Sequence, residues 1–151
     1  MIIDYPTALH ILIIRARLFQ TDGSGMLPAK QPSRGPMIRL RSPLFAPGDS
    51  ARKAAKALAS AADAVILDLE DSVAASAKDV ARGMVAAMLP VTHRPGVIVR
   101  INPPDTPWYL ADLAAVVAGR PAAVMLPKCR GAADLHALDH HLEALEAQAC
   151  I

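Results

Sequence analysis

From about residue 40 the chain alternates short apolar runs with stretches of helical periodicity. Leu40 to Ala46 is an apolar run that stops at Pro47-Gly48, and Asp49 or Ser50 can cap the Ala-rich helix that follows, which carries Arg52, Lys53 and Lys56. Ala64 to Leu69 predicts a second strand, and SAKD, Ser76 to Asp79, predicts a capped helix with Val80, Met84 and Met88 on one face. Val97 to Ile101 predicts a third strand, after which the prolines of NPPDTP defer regular structure to a helix near Trp108 to Val117. Ala122 to Leu126, stopped by Pro127, predicts a fourth, and its helix sets Leu135, Leu138, Leu142 and Leu145 in one amphipathic stripe. Four strand and helix units joined by short links predict an α/β fold with parallel strands and right-handed crossovers.

The predicted strands are continuous apolar runs, as expected where both faces of a sheet are covered. Polar residues break them only at their C-terminal ends: Pro47-Gly48-Asp49, then Asp68 to Asp71, then Arg100 and Asn102, then Lys128. A parallel sheet gathers these clusters on one rim, where ligands bind in barrels and open α/β folds alike. In the stretch AVILDLEDSV, Asp68, Glu70 and Asp71 crowd three carboxylates against a buried-looking strand. Alternation puts Asp68 and Glu70 on the face of Ala64 and Ile66, and Arg100 and Asn102 on the face of Ile98. Two readings follow if both faces point inward. Arg100 neutralises Asp68 or Glu70 as a structural ion pair, or it grips a substrate carboxylate while the acidic cluster holds a hydrated divalent cation.

Composition narrows the function classes. Residues 1–41 carry six Lys/Arg against two acidic residues and the remainder ten against twelve, so the folded part is no polyanion binder, and 3% aromatics give no base-stacking surface. Nucleic acid is thereby excluded as a partner. The apolar stretch Ala8 to Ile14 is too short for a membrane span, and Asp4 with no basic residue before it is a poor signal-peptide start, so no membrane partner is expected. Cys129 and Cys150 fit no metal or redox spacing, which suits a reducing cytoplasm. From Thr21 to Pro36 the composition turns to Gly, Ser, Pro, Gln and Lys, and residues 1–36 read as a flexible leader, with Met37 the expected start of the functional protein.

Three motifs in order carry a resemblance. RSPLFAPGDSARKAAKALASAADAVILDLEDSVA, then VIVRINPPDTPW, then VMLPKCRGAADL resemble the HpcH/HpaI aldolase and citrate lyase beta-subunit family, including its malyl-CoA and citramalyl-CoA lyase-like members, over about residues 37–145. The resemblance implies a (β/α)8 TIM barrel of which residues 37–151 are the first four units. It further implies carbon–carbon bond cleavage or condensation beside a carbonyl, on an acyl-CoA thioester with a small dicarboxylate or keto acid. Bound Mg2+ and a homo-oligomeric full-length form belong to the same implication. Arg100 in VRIN matches the arginine that binds the substrate's carboxylate or keto-acid end, and Asn102 and Asp68 join it as substrate contacts. Phe45 in LFAPG and Lys56 match CoA contacts; a further basic CoA contact aligns with Ser50, a departure that Arg52 could repair only from a different position. Asp68, Glu70 and Asp71 match DLED, which lies beside the metal and orders its water, so Arg100, Glu70 and Asp71 are the candidate catalytic set.

The resemblance places the two metal-binding carboxylates, a glutamate and an aspartate on later strands, after Ile151, so no direct metal ligand is expected in this chain. Half a barrel would leave two open parallel edges and an uncovered inner face. The expectation is therefore a truncated or split member that is inactive alone. The alternative is a non-catalytic half-barrel serving as subunit or regulatory partner of a full-length lyase. A phosphoenolpyruvate mutase-like enzyme fits DLED plus VRIN less well. Elsewhere, His140-His141 reads as a solvated helix surface and Cys129 as a small apolar filler. Lys128 reads as a partner of the acidic cluster, and Asp105 and Trp108 as loop-shaping residues.

Overall fold

The computed structural model describes residues 11–13, 40–92 and 96–151. Strands β1 (Ile11–Ile13), β2 (Pro43–Pro47), β3 (Ala64–Asp68), β4 (Val97–Arg100) and β5 (Ala123–Leu126) form one sheet in the order β1-β5-β4-β3-β2. The last four are parallel and sequential neighbours, joined through helices α1 (Ala51–Leu58), α2 (Lys78–Met88) and α3 (Tyr109–Val117), and helix α4 (Ala132–Gln148) follows β5. The parallel strands and their alternation with helices are as the apolar pattern predicts, and the sequential strand order is that of the barrel the resemblance implies.

The helices share one face of the sheet. Val65, Leu67, Val99 and Leu126 from the strands pack there with Ala54 and Ala57 of α1, Ala81 and Val85 of α2, Leu113 and Val116 of α3 and Leu138 and Leu142 of α4. The opposite face holds a smaller cluster of Ala64, Ile66, Ile98 and Ala123, with Leu40 and Met125 against it. Unreversed strand order with every helix on one side is the wall of a barrel, whereas a doubly wound sheet reverses its order and is covered on both sides by helices. Among the described residues no helix is long and apolar enough to cross a membrane.

Three expectations need correction. The small-face cluster is 0–4% exposed, so that face is not bare. Nor are both edges open: β1 pairs antiparallel with β5, Leu12 opposite Met125, and covers that edge. This also removes Ile11–Ile13 from the flexible leader, while its remainder and Met37 lie outside the described residues. Third, α2 does not begin with a capping Ser76. A 3-10 turn over Ala75–Ala77 precedes it without a side-chain cap, and the helix is rotated so that Lys78, Ala81 and Val85 are buried while Val80 is exposed. Met88 of the expected stripe is still partly buried against the core.

Elsewhere local chemistry and structure agree. Ser50 accepts from the Lys53 N–H at the start of α1, and Leu135 and Leu145 flank the buried Leu138 and Leu142. Gly48 fixes the approach of the β2 exit to β3: its N–H donates to Asp68 O at 2.8 Å, and a Cβ there would stand 2.8 Å from that same oxygen and 3.0 Å from both Leu69 Cδ2 and Val85 Cγ2. Gly48→Ala is expected to destabilise by about 1–3 kcal/mol through overpacking, read as a lowered urea midpoint with an unchanged slope.

Candidate functional site

The ladder registers Pro47 with Asp68 and Asp68 with Arg100, so three strand tips meet on one rim. Arg100 donates from Nε to Asp68 Oδ1 and from Nη2 to Asp68 Oδ2, both at 2.7 Å. The same two oxygens accept the Glu70 N–H at 2.8 Å and the Ser72 N–H at 3.0 Å. Asp68 is thus saturated, and it folds the turn that presents Glu70 and Asp71. The remaining guanidinium nitrogen, Nη1, lies 3.2 Å from Glu70 Oε2 and 4.0 Å from Asp71 Oδ2. Lys128 Nζ reaches in from the end of β5, 2.8 Å from Glu70 Oε1 and 3.4 Å from Asp71 Oδ1. Lys128 holds φ at 51°, a left-handed conformation unfavourable for a residue with a Cβ, at the point where its ammonium joins the acidic turn.

Glu70 differs from Asp68. It is buried, and its two oxygens are held by the two cations, Oε2 by Arg100 Nη1 at 3.2 Å and Oε1 by Lys128 Nζ at 2.8 Å. Phe45 lies across the guanidinium with its ring centroid 4.9 Å from Arg100 Cζ, a cation–π contact on an otherwise exposed ring. These contacts set the titration of the site. Burial would raise the Asp68 carboxyl, but the bonds from Arg100, Ser72 and the Glu70 amide outweigh it and hold it below the ordinary range. Arg100 is raised, the attraction of Asp68, Glu70 and Asp71 overcoming its burial, and Lys128 is raised chiefly by Glu70.

Behind the rim stands a buried network that the sequence reading missed. Lys78 Nζ donates to Leu69 O at 2.8 Å and Glu70 O at 2.7 Å, holding the acidic turn from the first residue of α2, and sits 5.4 Å from the Trp108 ring. Burial lowers the Lys78 ammonium, against the attraction of the surrounding carboxylates. Asp112 of α3, fully buried, accepts from Arg82 Nε at 2.8 Å and from Asn102 Nδ2 at 2.7 Å and Asn102 N at 3.0 Å. Asn102 Nδ2 also donates to Leu69 O. The one signal for this network in the sequence is Asp112 itself, a lone acid in the apolar helix YLADLAAVV.

Of the residues singled out from the sequence, Asp68, Glu70, Asp71, Arg100, Lys128 and Phe45 converge. Asn102 does not project its amide into the rim, because strand alternation ends at Arg100 and Asp112 draws the side chain toward α3. Lys56 is exposed in the last turn of α1. Cys129 is buried in the core, as a filler should be. His140 is exposed, but His141 is half-buried with its Nδ1 3.1 Å from the Tyr109 hydroxyl, so the pair is not uniformly a solvated surface. Trp108 packs near Lys78, and Asp105 makes a 3.9 Å contact with Arg130. No group of three or more His, Cys, Asp or Glu arranged to hold a metal ion occurs among the described residues.

Since the folded pKa of Asp68 is depressed, its contribution to stability is complete above the unfolded carboxylate value, about 4, and is lost as pH falls through the lower folded value. Asp68→Asn is expected to cost about 3–5 kcal/mol at neutral pH by leaving Arg100 without its bidentate partner. Urea titrations run from neutral to acid pH should show the gap between wild type and variant narrowing as acidity rises.

Comparison with known proteins gives a consistent picture. The profile of the HpcH/HpaI aldolase/citrate lyase family matches residues 41–150. Over 101 residues the chain is 44% identical to a (3S)-malyl-CoA thioesterase of Cereibacter sphaeroides, a match covering 65% of this chain and 35% of the relative. It is 41% identical over 112 residues to citrate lyase subunit beta of Escherichia coli K12, covering 73% and 37%. A citrate lyase beta subunit of Mycobacterium tuberculosis, solved with oxaloacetate and magnesium, matches at 42% identity and a TM-score of 0.41 over 49% of this chain and 32% of that one. The chain spans little more than a third of the length of these curated relatives.

Proposed function

Because this chain belongs to the HpcH/HpaI aldolase/citrate lyase family, we propose that residues 41–150 supply the anion-binding rim of a Mg2+-dependent carbon–carbon lyase acting on hydroxyacyl-CoA thioesters. The observation that carries this reading is the convergence of Arg100 and Lys128, from neighbouring strands, on one acidic turn. The names of the relatives, citrate lyase subunit beta, (3S)-malyl-CoA thioesterase and L-malyl-CoA/beta-methylmalyl-CoA lyase, support a small hydroxy or keto acid as the substrate class, with CoA as its carrier.

In this reading Arg100 binds the carboxylate of the keto-acid half through Nη1, since Asp68 holds its other edge in place. Phe45, stacked on that guanidinium and open on its outer side, and Lys56 contact the CoA portion. Glu70 and Asp71 would accept hydrogen bonds from the water of a metal bound at the rim. The residues present fit this outer role: Asp71 is exposed at the rim, Glu70 is held beside it by Arg100 and Lys128, and Asp68 has no capacity left for coordination. A bound divalent cation supplies Lewis-acid stabilisation to the enolate oxygen that develops beside the thioester. Fixing the keto acid against that carbon removes orientational freedom before reaction, and a cation fixed in advance stabilises developing charge without reorganisation. On this reading the chain, which spans little more than a third of its curated relatives, is expected not to turn over by itself.

Calorimetry with oxaloacetate tests the anion role. Arg100→Lys keeps the charge but not the bidentate lock on Asp68, and should weaken binding by roughly tenfold or more; equal affinity would refute the assignment. Purified chain incubated with Mg2+ and malyl-CoA or citryl-CoA should release no product above background, and turnover would show that the chain is complete as a catalyst.

A further inference from the structure

Glu70 is 3% exposed, and both of its oxygens are turned to cations and to no backbone donor, unlike those of Asp68. A buried carboxylate is costly, and it persists where removing it would leave opposite charges worse off. Those charges are identifiable. Arg100 has committed Nε and Nη2 to Asp68, which leaves Nη1 as the nitrogen a ligand can claim, and Glu70 Oε2 stands 3.2 Å from it. Lys128 Nζ, more than half exposed, is 2.8 Å from Glu70 Oε1. Asp71 lies farther from both cations, at 4.0 and 3.4 Å, and is itself exposed. Glu70 therefore bridges two cations from adjacent strands as a ligand carboxylate would.

We propose that Glu70 is a built-in anionic placeholder, occupying the position between Arg100 Nη1 and Lys128 Nζ that a small dicarboxylate takes by displacing it. The inference rests on the anion-binding reading above and adds to it a competitor within the chain. The measured affinity is then the difference between what the ligand and Glu70 each gain from the same cations, as for any site whose competent state is partly populated. A monocarboxylate only replaces what Glu70 gave up. A second carboxylate adds a contact Glu70 cannot make, so the exchange favours dianions.

Oxalate is a suitable probe, with calorimetry on wild type, Glu70→Gln and the double variant Glu70→Gln/Lys128→Met, and thermal melts to verify folding. E70Q keeps the side chain's shape, removes its charge, and should bind oxalate roughly tenfold more tightly; the added Lys128→Met should cancel the gain. Equal or weaker binding by folded E70Q overturns the proposal. The wild-type chain offers a second readout in case E70Q does not fold: saturation with oxalate should shift the 13C resonance of the Glu70 carboxylate, and an unmoved resonance in the bound state overturns displacement. Tightening by E70Q stands even if no CoA thioester is a substrate, whereas unaltered oxalate affinity beside Arg100-dependent oxaloacetate binding removes the placeholder and leaves the lyase reading intact.

Discussion

The bidentate contact between Asp68 and Arg100 joins two neighbouring strands at the point where both leave the sheet, and the rest of the rim takes its geometry from it. A carboxylate at a strand end would ordinarily turn toward water. Here it is buried, faces a guanidinium in register across the ladder, and uses its remaining capacity on the Glu70 and Ser72 amides. The turn after β3 is thereby given one conformation. Glu70 and Asp71 are presented by that turn, and Arg100 is left with a single unclaimed nitrogen. The two readings open at the level of sequence, structural pair and ligand grip, are both compatible with one side chain because they use different edges of it.

Support from behind comes from a different chemistry. Lys78 binds carbonyl oxygens of the acidic turn and not its carboxylates, so it fixes the backbone without neutralising the side chains. Asp112 ties α2 through Arg82 and the β4 exit through Asn102, so two helices and two strand ends share one buried hydrogen-bonded core. Such a network is favourable only when fully satisfied. Its members here are hydrogen-bonded, and the Glu70 carboxylate stands apart from it, paired with Arg100 and Lys128 at the rim.

Much of this was legible in the sequence, for identifiable reasons. Continuous apolar strands ending in polar clusters define a parallel sheet and its functional end, and period-two alternation set Arg100 near Asp68 and Glu70 on condition that both faces point inward. The same alternation misplaced Asn102, because it holds only while the strand lasts and β4 ends two residues earlier. The face of α2 was misjudged because the stripe through Ala81 and Val85, not the one through Val80, packs on the sheet. Lys78 and Arg82 were missed since nothing local marks a charge for burial, and Asp112, a lone acid in an apolar helix, was the one signal, with its Arg82 partner 30 residues away. The antiparallel strand β1 lies outside the family-matched residues, so neither motif nor resemblance pointed to it.

Strand β2 ends the sheet on the side away from β1, and it begins and ends with proline, at Pro43 and Pro47. Proline has no amide hydrogen, so of five residues only Leu44, Phe45 and Ala46 can donate to a neighbour, and because successive amides point to opposite sides these are divided between β3 and the free edge. A stray strand settling there would find gaps at both ends of the ladder. The border nearest the guanidinium is in this way a poor template for runaway self-association, even though Leu44 and Phe45 leave it greasy.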